Sequence, residues 1–170
     1  MPRAIRTYIR YVETVNRIIG RLMMYFIFVM IGILLFSSMS RTFFNVSYIW
    51  VVEMAQFTMA AYYLLGGGYS MQLDSHVRMD LLYCRWSPRG RAVADCITAL
   101  FLLFYLVFLL IGGVSSTQYA LQYGQVNYSA WAPYMAPIKI IMTIGIALML
   151  LQAVAIFFRD LATARGETLA

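Results

Sequence analysis

Few residues in this chain could carry out chemistry on their own. Its 170 residues contain one histidine, His76, and two cysteines, Cys84 and Cys96. A structural zinc cage draws on four Cys or His ligands, and a haem held on both faces by histidine needs two of them, so neither can be assembled within this chain. The cysteines are twelve positions apart, which is no redox-motif spacing, and they read as structural fillers. Acidic groups number only seven. The densest grouping of ionisable residues is Asp74, His76, Arg78 and Asp80, within seven positions. A membrane-embedded enzyme needs His, Asp or Glu gathered at one level, and this stretch alone comes close. Glu53, beside a long apolar run, is the other candidate. It could carry protons in a self-contained four-span exporter, although such a carboxylate belongs inside the first span, and Glu53 stands at the rim of the second.

The elements that must position these residues are set by composition. The chain is 62% hydrophobic and 12% charged, with a mean hydropathy of +0.74, whereas soluble domains carry about 25% charged residues. Charge-free runs cover 22–40, 54–73, 96–138 and 140–158. A bilayer core about 30 Å thick needs about 20 apolar residues per helix. The long run divides, because 115–137 is rich in Ser, Thr, Gln and Tyr and contains Pro133 and Pro137. The expected fold is therefore an all-α integral membrane protein in a single domain, 1–170, with four transmembrane helices at about 22–40, 54–73, 96–114 and 138–158. A polar loop, 115–137, joins the last two. Four such stretches read as buried soluble helices would leave too little polar chain to cover them.

Arginine and lysine set the orientation. Five basic residues precede the first span, four follow the second (Arg78, Arg85, Arg89, Arg91) and two close the chain (Arg159, Arg165), against only Arg41 and Lys139 on the other side. By the positive-inside rule both termini and the middle loop are cytoplasmic. The net charge of +6 is thus a topology signal, and no nucleic-acid partner is implied. In 1–21, Arg3, Arg6, Arg10, Arg17 and Arg21 recur at helical spacing opposite a face of Ile5, Tyr8, Ile9, Val12, Val15 and Ile19. This predicts an amphipathic helix lying in the cytoplasmic interface against acidic lipids before the chain turns into the first span. The first run is expected to be a retained span, since its basic leader and apolar core both exceed signal-peptide dimensions.

Arg41, Glu53 and Lys139 each stand at the outward end of a span. At one depth, Glu53 is expected to pair with Arg41 or Lys139 and tie those ends together. Gly66, Gly67 and Gly68 predict close packing of the second span against another helix. Tyr119, Tyr123, Tyr128, Trp131 and Tyr134 mark the outer headgroup level. Ionisable residues near the midplane, where transporters place substrate and ion sites, are missing from all four runs.

Trp50 and Glu53 opening the second span, the Gly-rich helix, and Asp74-Ser75-His76-Val77-Arg78-Met79-Asp80-Leu81-Leu82 after it together resemble the small membrane subunit, of DctQ type, of tripartite ATP-independent periplasmic (TRAP) transporters. Pro133 and Pro137 look like that family's proline pair. The resemblance implies a scaffold subunit, not an enzyme, in the bacterial inner membrane. A large multi-span subunit would move substrate and Na⁺, so this chain would hold no cofactor, and a periplasmic binding protein would deliver an organic anion. His76, Arg78 and Asp80 are then expected to contact the large subunit or lipid phosphates. Gln122, Gln125 and Asn127, in the uncharged outward loop, are expected to help dock the binding protein.

Overall fold

The computed structural model describes residues 3–73 and 88–164. It contains four helices: α1 (Arg3–Phe44), α2 (Trp50–Gln72), α3 (Pro88–Gln122) and α4 (Ala136–Ala164). Within the helices proline stands only in first turns, at Pro88 of α3 and Pro137 of α4, where the missing N–H is no loss and the fixed φ favours helix. Among the described residues there is no strand, only an isolated bridge between Val126 and Tyr134.

Helix α1 differs from expectation. Its basic arm and its apolar span are one unbroken helix of 42 residues, about 63 Å long at 1.5 Å per residue, with no turn between them. The physical reason is the continuity of one face. Val12, Asn16, Gly20 and Met23, at helical spacing, are all buried against α2 and α4, the helices that α1 contacts. The arm's apolar stripe is thus covered largely by protein, and nothing in 17–24 breaks the helix.

Among the described residues, three helices contain stretches long and apolar enough to cross a membrane: Ile5–Phe44, Ile97–Gln122 and Ala136–Ala162. Helix α2, at 23 residues, has the length, about 34 Å, but less apolarity. Its packing explains this, because α2 lies between α1 and α4 and places small residues on them where a lipid-facing helix would carry leucines. A Cβ on Gly68 would stand 2.7 Å from Asn16 Oδ1 of α1, and one on Gly67 would stand 2.8 Å from Met149 Sδ of α4. The reciprocal positions are Gly20 of α1, whose missing Cβ makes room for Tyr69, and Gly145 of α4. A Cβ on Gly145 would come within 2.8 Å of the Leu64 carbonyl oxygen.

The helices form an open layer. Extensive contacts join α1 to α2, α2 to α4 and α4 to α3, and a smaller one joins α1 to α4. Met71, Leu106 and Ala153, from α2, α3 and α4, make a small buried cluster. On α3, Phe101, Phe104, Tyr105 and Phe108 are exposed, an aromatic stripe of the size that bilayers and membrane partners cover. At one end of the layer, the loop end, 45–49 joins α1 to α2 and 123–135 joins α3 to α4. At the other, the arm end, lie the start of α1 and the ends of α2 and α4.

Candidate functional site

At the loop end the expected ion pair does not form. Arg41 donates from Nη2 to Ser47 Oγ at 3.2 Å. Lys139 donates from Nζ to Gln125 Oε1 at 2.6 Å and to the Ser116 carbonyl at 3.4 Å. Glu53 is 6% exposed, and its Oε2 has no hydrogen-bond partner. Each cation finds a neutral acceptor in its own neighbourhood, while Glu53 is buried at the start of α2. Its place in the first helical turn sets the carboxylate at the positive end of the helix macrodipole.

The loop 123–135 is folded. α3 closes with the Gln125 N–H donating to the Ala120 carbonyl at 3.2 Å while Gly124 sits at φ +56°. This is the left-handed helix stop that glycine supplies without strain. Met135 N–H then donates to Gln125 O at 2.9 Å, and Asn127 N–H to Pro133 O at 3.0 Å. Thr117 adds a polar seam between α3 and α4, its Oγ1 lying 2.9 Å from Thr143 Oγ1 and 3.2 Å from the Lys139 carbonyl. Of the three amides singled out from the sequence, Gln125 is half-buried and engaged with Lys139, Asn127 is half-buried, and Gln122 is exposed. The exposed surface at this end is mainly aromatic, with Tyr119, Tyr123, Tyr128, Trp131 and Tyr134 exposed. His76, Arg78 and Asp80 lie outside the described residues.

A second polar junction, at the arm end, was missed by sequence reasoning. Asn16 of α1 and Gln152 of α4 are each 1% exposed, and Asn16 Nδ2 donates to Gln152 Oε1 at 2.8 Å. Asn16 Oδ1 and Gln72 Oε1 are buried without a partner. Nearby, Tyr8 donates to the Leu151 carbonyl at 3.2 Å, and Arg159 and Glu13 approach to 3.9 Å. The signal was available, since Asn16 interrupts the apolar face of α1 and Gln152 is an amide inside an apolar run. A search confined to ionisable groups passes over both.

These polar groups join helices. Among the described residues no three His, Cys, Asp or Glu side chains are grouped to hold a metal ion. The sequence pattern of the family described as "Tripartite ATP-independent periplasmic transporters, DctQ component" matches residues 30–163. This chain belongs to the DctQ family. The match takes in the last third of α1 and the whole of α2 and α3, and ends one residue short of the end of α4. It therefore covers the loop-end seam, while Asn16 and the basic arm precede it. DctQ proteins are components of transporters and not a family of enzymes. A search of curated proteins gives no significant match.

Proposed function

We propose that this DctQ protein is the small scaffold subunit of a sodium-coupled TRAP transporter, importing an organic anion that a periplasmic binding protein delivers. All four helices cross the bacterial inner membrane with both termini in the cytoplasm. The family match over 30–163 carries this reading. The eleven-to-two division of basic residues supports the orientation, and the length of α2 suits a fourth span shielded by its neighbours. The large subunit moves substrate and Na⁺, and the open layer of α1, α2, α4 and α3 is the platform it works against. Glu53 as the proton carrier of an independent exporter is the weaker reading, because it stands at a helix start, away from the midplane.

Reconstitution tests the proposal. Vesicles holding this chain alone, with binding protein and a sodium gradient, are expected to show no uptake above protein-free vesicles, and co-reconstitution with the large subunit is expected to restore it. Sodium-driven uptake by the isolated chain would overturn the scaffold role.

The loop 123–135 and the end of α3 form part of the docking platform for the binding protein. Replacing Gln122 and Asn127 together by alanine is expected to raise the half-saturating concentration of binding protein several-fold while complex yield stays normal. Gln125→Ala is expected to act differently, lowering stability by about 1–3 kcal/mol because the partly buried Lys139 ammonium loses its closest acceptor. An unchanged uptake curve for the double variant would leave the loop only a sealing role.

A further inference from the structure

Between α1 and α2 lies a groove of about 530 Å³ whose wall is mainly apolar. Gly20 and Met24 form one side, Tyr62, Gly66 and Leu73 the other, and Met149 of α4 part of its lining. From Tyr62 to Leu73 is eleven residues, about 16 Å along the helix, which is one leaflet of a bilayer core of about 30 Å. The groove begins at the arm end and stops near mid-membrane depth. Its volume falls within the range of about 300–1,000 Å³ typical of small-molecule sites.

The charges above it are specific. Arg17, Arg21 and Met24 stand at i, i+4 and i+7 of α1 and so share one stripe. Gly20 and Met24 line the groove, and Arg17 and Arg21, within one or two turns of them on α1, are exposed. Neither arginine has a partner among the described residues. A slot about one leaflet deep, mainly apolar in its wall, with two exposed guanidinium groups on the same helix near its arm end, suits a molecule with a long apolar chain and an anionic head. We propose that the groove is a binding site for an anionic phospholipid, one acyl chain lying between α1 and α2 and the phosphate held by Arg17 and Arg21. The site rests on α1 and α2 crossing the membrane, which is part of the reading above, and not on transport.

Gly66 makes the site testable without disturbing the fold, because a Cβ there would meet nothing within 4 Å. Gly66→Leu fills the groove, and Gly32→Leu, also in open space on α1, is the matched control. The full chain, alone and co-purified with its large subunit, is placed in nanodiscs of phosphatidylethanolamine containing a minor fraction of phosphatidylglycerol. Retained lipid is then read by native mass spectrometry. Wild type and Gly32→Leu are expected to keep phosphatidylglycerol in preference to phosphatidylethanolamine, and Gly66→Leu to lose it. Arg17→Gln with Arg21→Gln is expected to weaken retention roughly 25-fold, at about fivefold for each arginine near a membrane surface. Equal retention of the two lipids, retention indifferent to Gly66 and the arginines, or loss of the lipid whenever the large subunit is present overturns the site. A chain that leaves the membrane without detergent would instead fail the membrane placement itself.

Discussion

Replacing Gly145 by leucine is expected to separate the protein into two helical hairpins, α1 with α2 and α3 with α4. The halves are held together chiefly by α2 against α4, with the smaller contact of α1 on α4. At the first of these crossings, a Cβ on Gly145 would stand 2.8 Å from the Leu64 carbonyl oxygen and 2.9 Å from its carbon. Those are backbone atoms, which cannot swing aside as a side-chain tip can, so the helices themselves must part. Overpacking of this kind costs about 1–3 kcal/mol. Gly145→Ala should fall in that range, and the leucine variant at or beyond its upper limit. Unfolding by SDS in mixed micelles gives the stability. Spin labels at the exposed positions Met59 of α2 and Ile144 of α4, in a background without Cys84 and Cys96, give the separation of the halves. Gly112→Leu, where a Cβ meets nothing within 4 Å, is expected to leave both unchanged. A Gly145→Leu protein with wild-type midpoint and distances would show that this crossing does not hold the layer together.

The second large effect is expected at the amide junction. Gln152→Leu removes the acceptor of Asn16 Nδ2, and Asn16 Oδ1 already lacks a donor, so a wholly buried carboxamide would be left with no partner for either atom. Leaving one buried polar group unsatisfied costs about 1–3 kcal/mol. Removing the second amide as well, with Asn16→Ala, should recover part of that loss, because the stranded group is gone. Between helices in a membrane the coupling in such a double-mutant cycle averages about 0.6 kcal/mol and reaches about 1.7. Strict additivity in the SDS unfolding free energies would mean that the two amides do not act as a pair. The same variant should loosen the N-terminal arm, because Tyr8, Glu13 and Asn16 all reach α4. Faster proteolysis before Arg21 would report this.

Hydropathy and charge, read along the chain, suffice for the class of protein. Lipid exposure imposes a coarse rule on every residue of a span, and that rule survives averaging over 20 positions. Family membership was also legible, because Trp50, Glu53 and the stretch around His76 form a linear pattern that needs no fold to be recognised. The glycines at 66–68 announced a close helix contact, as small residues do. Which partner each would meet was not readable, because a helix has neighbours on several sides. In the fold, Gly67 faces α4, Gly68 faces α1 and Gly66 faces the open groove.

Pairing was the part that sequence could not decide. Arg41, Glu53 and Lys139 carry complementary charges at the ends of their helices, and from the sequence alone an ion pair was the natural expectation. The loop 123–135 instead brings Gln125 to Lys139, and 45–49 brings Ser47 to Arg41; local geometry prevails because a hydrogen bond requires direct approach of donor and acceptor, which proximity in depth does not provide. The continuity of α1 was likewise a tertiary outcome. The arm's amphipathic pattern suits a membrane surface and a protein groove equally well, and Gly20, Gly68 and Gly145 gave it the groove by letting α2 and α4 come close. The sequence determined by itself that this chain is a helical membrane protein of the DctQ kind, since solvent preference is a property of each residue. Which helices touch, which polar groups find partners and where a lipid-sized groove remains emerge only on folding, since they depend on distances between residues far apart in the chain.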